Sequence, residues 1–247
     1  MKSYQKLLLI SLVGLLLGGC AATTTTISKR NLEVSTKMSA TVFLNPVEAA
    51  QKTIYLQVTN TSDQPSFNIT AKVKQILEGK GYTVVTSPNK AQYLLQVNIL
   101  QVGKTALSAA EKAFDGGFGS SLASIGIGAT TGALISNGRT GGMIAGGVIA
   151  GLVDTVANSV VKDVTYTVIT DLQISERAAE GMKIAQINKT KLSQGSNGYS
   201  KQEANFQSGW MKYQTRVLSV ANKVNLKFQE AQSMLEGSLA NAVAGLF

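Results

Sequence analysis

The chain has 247 residues, with 23 basic and 14 acidic side chains, 24 Gly, three Pro, one Cys and no His. Without histidine there is no imidazole base for a serine or cysteine nucleophile, and a zinc site would need carboxylates and one thiol. One cysteine excludes an internal disulfide framework, and an apolar fraction of 44% excludes a disordered chain.

Lys2 and Lys6 precede an apolar run from Leu7 to Leu17. That is the charged start and short apolar core of a secretory signal, about half the length of a membrane span. The run ends in Leu17-Gly18-Gly19-Cys20, the pattern of a bacterial lipobox. The spacing predicts a signal peptide over 1–19 and lipidation at Cys20. The expected attachments are a diacylglycerol on the thiol and an N-acyl chain, with no other cofactor. Two or three acyl chains anchor far more firmly than one. Ala21 is not Asp, which predicts outer-membrane sorting. Residues 20–30 read as a lipidated, polar tether.

Residues 31–115 read as the first part of an α+β domain. Leu32, Val34, Met38, Ala40, Val42 and Leu44 share one parity, the period of a strand. Ile54, Leu56 and Val58 repeat it. A helix after Pro65 carries Ile69, Val73, Ile76 and Leu77 and stops at Gly79 and Gly81. Tyr82–Thr86 and Tyr93–Ile99 are two further strands.

Residues 116–161 differ in kind. Twelve of the 24 glycines lie between 116 and 153, with Arg139 as the stretch's single charge before Asp154. Two apolar stretches, Phe118–Ser136 and Met143–Val161, flank the turn-rich run Asn137-Gly138-Arg139-Thr140-Gly141-Gly142. Each is long enough for a helix of roughly 28 Å, about the thickness of bilayer hydrocarbon. Small residues recur every fourth position. Gly128 and Gly132 belong to one ladder, Gly142 and Gly146 to a second, and Gly147 and Gly151 to a third. Such ladders let helices approach closely in lipid. The pattern predicts a glycine-rich helical hairpin spanning the outer membrane, with Asn137, Gly138, Arg139 and Thr140 as its surface loop. A soluble hairpin packed on the domain, or a linker, is the alternative.

Residues 162–247 resume the domain. Val164 to Ile174 alternate as a strand, 177–209 are polar with weak pattern, and Tyr213–Val220 form a last strand. Phe228, Ala231, Met234, Leu235, Leu239, Ala242, Val243 and Leu246 mark a C-terminal amphipathic helix. Asp163, Asp171 and Glu176 are read as solvated. Nine basic and two acidic residues lie from Arg177 to Lys227, a solvated face before a nucleic-acid surface because aromatics are not interleaved.

Motifs for chemistry fail. Gly103-Lys104-Thr105 lacks the glycine a phosphate loop needs five residues earlier, where Asn98 stands. Ser159-Val160-Val161-Lys162 lacks the companion elements of serine acyltransferases. The composition predicts no catalytic residue, no metal and no nucleic-acid partner.

Several stretches resemble the TraT family of conjugative-plasmid lipoproteins. They are Lys29-Arg30-Asn31-Leu32-Glu33-Val34, Gly81 to Pro88, Lys162-Asp163-Val164-Thr165-Tyr166 with Ile169-Thr170-Asp171, Lys212 to Val217 and Ala221 to Phe228. The resemblance runs through nearly the whole mature chain in order. It implies a non-enzymatic, surface-exposed outer-membrane lipoprotein that forms a homo-oligomeric ring. It further implies surface exclusion, the blocking of mating-pair formation with like donors, and complement resistance. The implied partners are further copies of the chain, outer-membrane lipids and the donor-cell surface or conjugative pilus. The alternative is a structural envelope lipoprotein whose glycine hairpin stays periplasmic and which binds peptidoglycan or lipopolysaccharide.

Overall fold

The computed structural model describes residues 29–122, 163–178, 184–193 and 199–247. Eight strands and three α-helices lie among them: β1 (Glu33–Met38), β2 (Thr53–Asn60), α1 (Thr70–Gly79), β3 (Thr83–Val85), β4 (Tyr93–Lys104), α2 (Leu107–Asp115), β5 (Asp163–Arg177), β6 (Ile184–Ser193), β7 (Tyr199–Ser208), β8 (Trp210–Val224) and α3 (Phe228–Ala244). Six strands form one curled sheet in the order β1-β8-β5-β4-β2-β3, and β6 pairs with β7 in a separate ladder. The β2 contacts with β3 and β4 are parallel, and the other pairs are antiparallel.

Strand period decides which face each side chain takes. On one face Tyr93, Leu95, Val97 and Ile99 of β4, Val168, Leu172 and Ile174 of β5 and Val217 and Ala221 of β8 form the main core. Helices α1 and α3 cover it with Val73, Leu77, Ala231, Leu235, Leu239 and Val243. Tyr82, Tyr93 and Phe247 close one end as a cluster of edge-to-face rings 5.5 to 6.2 Å apart. Glu236 of α3 ties the two helices, accepting from Lys72 Nζ at 2.7 Å, Gln232 Nε2 at 2.9 Å and the Asn68 N–H at 3.3 Å. Burial alone would raise its pKa, but these donors hold the carboxyl below its ordinary value. On the opposite face α2 sets Ala110 and Ala113 on Ile169 and Leu218. The two central strands are thus covered on both faces, which is why β5 is buried almost without alternation.

The fold-class expectation needs correction. An α+β domain with an inserted membrane-spanning helical hairpin was expected; the described chain is mainly a curled β-sheet with few helices. Among the described residues no helix is long and apolar enough to cross a membrane. The hairpin's first apolar stretch was expected to start at Phe118 as helix. Instead residues 116–122 turn back on the sheet, with Gly117 at φ 71° and Gly119 at φ 73°. These two glycines serve backbone turns in the left-handed region. Residues 123–162, and with them the rest of the hairpin, lie outside the described residues.

Smaller differences follow from tertiary context. Only Glu33–Met38 of the expected strand from Leu32 to Leu44 pairs in the ladder. Beyond it the chain leaves the ladder without regular secondary structure, and Val42, Leu44 and Val47 still pack on the core. The weakly patterned stretch 177–209 contains β6 and β7. Asp171 and Glu176 are buried rather than solvated, 8% and 2% exposed, because β5 is covered on both faces.

Candidate functional site

The most elaborate polar arrangement sits where the sheet meets the described start of the glycine-rich segment. Asp171 of β5 and Arg216 of β8 are direct cross-strand partners. Both face α2, and Arg216 is 0% exposed. A guanidinium has five N–H donors, and burying one requires acceptors for them. Arg216 Nε donates to Asp171 Oδ1 at 2.7 Å and Nη2 to Asp171 Oδ2 at 3.0 Å. Nη1 donates to the Ala113 carbonyl at 2.8 Å and to Ser120 Oγ at 2.5 Å, and Nη2 also donates to the Ser120 carbonyl at 3.0 Å. Five bonds therefore match five donors.

The carboxylate reaches the same segment from the other side. Asp171 Oδ2 accepts the Gly119 N–H at 2.8 Å. At Gly116 a Cβ would stand 2.5 Å from Ser120 Oγ, so the turn requires the bare backbone there. The ion pair thus clasps 113–120 onto the sheet, and glycine permits the clasp. The Asp171 carboxylate and the Arg216 guanidinium are engaged with each other and with this segment, so the arrangement positions the segment. Among the described residues no cluster of His, Cys, Asp or Glu could hold a metal ion.

The two ends of the sheet differ. Val224 donates its N–H to the Lys29 carbonyl at 3.1 Å, and Lys29 pairs with Asp163. Asn222 Nδ2 donates to the other oxygen of Asp163 at 2.7 Å. Lys29 and the start of β5 therefore lie at one end of the sheet. At the far end Arg177 Nε and Nη2 donate to the Ala91 carbonyl at 3.0 and 2.9 Å, and Nη2 to the Asn89 carbonyl at 3.0 Å. Its guanidinium lies 4.4 Å from the centre of the Trp210 ring. Ala178 then bonds to the Gly209 carbonyl, and the chain passes to β6 and β7. At roughly 3.3 Å per residue, the length of β5 separates these ends by 45–50 Å. Beside the far end, Tyr213 OH donates to Glu176 Oε2 at 3.1 Å, and Tyr93 OH donates to the Asn45 carbonyl at 2.7 Å. Burial first, and the Glu176 charge second, push the Tyr93 phenol up to about 12.

None of the sequence-derived site residues lies in the described chain. Cys20, the packing glycines Gly128, Gly132, Gly142, Gly146, Gly147 and Gly151, and the loop Asn137, Gly138, Arg139 and Thr140 are all outside it. The structure instead brings together Asp171, Arg216, Gly119 and Ser120, which sequence reasoning missed. The signal was present: one acid between Thr170 and Leu172 of the alternating stretch Val164–Ile174, and one base before Val217-Leu218. Their pairing needed the register of β5 and β8. Gly103 and Lys104 lie in β4, consistent with strand rather than phosphate loop.

Comparison with known proteins completes the picture. Over 248 residues the chain is 41% identical to the TraT complement resistance protein of Escherichia coli strain K12, covering 100% of both chains. A second TraT complement resistance protein from Escherichia coli is 41% identical over 239 residues, 94% of this chain and 93% of its own. One from Wigglesworthia glossinidia brevipalpis is 31% identical over 247 residues, 98% of this chain and 96% of its own. Residues 31–247 match the family described as the enterobacterial TraT complement resistance protein, and the chain belongs to that family.

Proposed function

We propose that the protein is an outer-membrane lipoprotein, anchored through acyl chains on Cys20, that assembles on itself at the cell surface. There it blocks mating-pair formation with donors carrying a related plasmid and hinders complement attack. Its action is steric and interfacial, without chemical turnover, and its partners are its own copies, outer-membrane lipids and the donor surface or pilus. The family match over nearly the entire chain carries this reading. The lipobox before Cys20 supports the anchor. Lys29 and Asp163 pair at the end of the sheet opposite the one where β5 gives way to β6, which supports an anchor on that side.

The test is expression in a recipient lacking conjugative plasmids. Transfer from donors of the related plasmid should fall, transfer from unrelated donors should not, and survival in serum should rise. Cys20→Ser should abolish these effects and leave an unprocessed or soluble chain. A wild-type protein that reaches the outer membrane and changes neither mating nor serum survival would overturn the reading.

A further inference from the structure

Four glutamines cross the sheet in one row. Gln57 of β2, Gln96 of β4, Gln173 of β5 and Gln214 of β8 are direct partners in register. Gln96 Nε2 donates to Gln57 Oε1 at 3.0 Å, Gln173 Nε2 to Gln96 Oε1 at 2.9 Å, and Gln214 Nε2 to Gln173 Oε1 at 2.7 Å. The three bonds run in one direction, so each amide polarises the next. The row lies on the face opposite the main core, one step beyond the Asp171–Arg216 pair and beyond the roof of α2. Gln57 and Gln214 are exposed, and the inner two are half-buried.

An amide has two N–H donors and two carbonyl lone pairs. The row uses one of each on Gln96 and Gln173 and leaves one of each, repeated at an inter-strand spacing of about 4.8 Å. Sheet stability does not call for this choice, since half-exposed strand positions favour β-branched and aromatic residues. The rows on either side are mixed: Tyr55, Leu94, Ser175 and Lys212 on one, Thr59, Asn98, Asp171 and Arg216 on the other. Ser175, 1% exposed and next to Gln173 on the same face, has a hydroxyl without a hydrogen-bond partner. The side chains of the row are already ordered by one another, so a ligand meeting them would not bear that entropic cost.

We propose that this row binds an N-acetylated glycan chain laid across the strands. A hydroxyl donates and accepts, and an acetamido group offers one N–H and one carbonyl, so each complements the donor–acceptor pair left on an inner glutamine. The four amides are uncharged, which suits a neutral chain and not a phosphate. They offer no contiguous apolar area for a lipid or an amphipathic helix. Half-buried Tyr55 stands beside the row and supplies an aromatic ring for the C–H face of a sugar. This binding goes beyond donor exclusion and does not depend on it.

The full lipidated chain in detergent micelles is titrated calorimetrically with chitohexaose. Cellohexaose, with the same backbone linkage and no acetamido groups, is the comparison. Chitohexaose is expected to bind, and cellohexaose to bind several-fold more weakly. Gln173→Ala removes two bonds of the row and should weaken binding roughly tenfold, as losing one or two hydrogen bonds does. Gln57→Ala, at the exposed end, should weaken it less while leaving the thermal unfolding curve in place, which keeps the test valid if Gln173→Ala unfolds. Lys223→Ala, at the tether end of β8, should change nothing. Absence of chitohexaose binding, equal binding of the two sugars, or unchanged binding in folded Gln57→Ala and Gln173→Ala would overturn the proposal.

Discussion

Replacing Arg216 by Met tests how tightly the glycine-rich segment is held to the sheet. Methionine fills much of the same volume and removes the charge. Asp171 keeps the Gly119 N–H but loses both guanidinium bonds, and the Ala113 and Ser120 carbonyls lose their donors. Breaking a buried ion pair from one side costs about 3–5 kcal/mol, because the remaining charge stays buried and unpaired. In a domain of this size each kcal/mol lowers Tm by about 2–4 °C, so a fall of roughly 6–20 °C is expected. Urea unfolding of the mature chain measures the loss, and amide hydrogen exchange at Gly119 locates it. The double variant Asp171→Leu with Arg216→Met should recover part of the loss, since no unpaired charge remains. A cost under about 1 kcal/mol, strict additivity in the double variant, or unchanged protection of the Gly119 amide would refute the clasp.

Gly119→Ala should destabilise by about 1–2 kcal/mol, because a side chain at φ 73° strains the left-handed backbone; equal urea midpoints would contradict this. Gly237 sits within α3 with nothing within 4 Å of an added Cβ, so Gly237→Ala should stabilise by about 0.5–1 kcal/mol in the same assay. The Glu236 carboxyl is depressed in the fold, so its contribution is present above the ordinary carboxylate pKa of about 4.3 and is lost as pH falls below it. Glu236→Gln should therefore flatten the acid limb of the stability profile, measured as urea midpoint against pH. The Tyr93 phenol is raised to about 12, so its contribution is complete below the ordinary value near 10 and is lost as pH rises toward 12. Tyr93→Phe should lose about 1 kcal/mol at neutral pH with the Asn45 bond and remove part of that alkaline decline, followed by tyrosinate absorbance and unfolding together.

The sequence by itself determined the local elements wherever one face is apolar and the other is not. Ile54 to Val58, Tyr93 to Ile99 and Val164 to Ile174 alternate because their strands face a core, and Val73 and Leu77 repeat because α1 does. It also carried the family, since motifs such as Gly81 to Pro88 persist in order along the chain. Tertiary structure decided what periodicity cannot encode. The polar stretch holding β6 and β7 has little apolar alternation, so pattern alone does not place its strands. Asp171, Glu176 and Arg216 look solvated in isolation and are buried because neighbouring strands and α2 cover both faces of the central pair. The glycines at 116, 117 and 119 carry no periodicity that would mark a tight turn in advance. The turn forms because Asp171 and Arg216, some fifty and one hundred residues downstream, meet across β5 and β8 and bind its backbone. Register, which pairs residues distant in the chain, made that site, and the same register lined up the four glutamines.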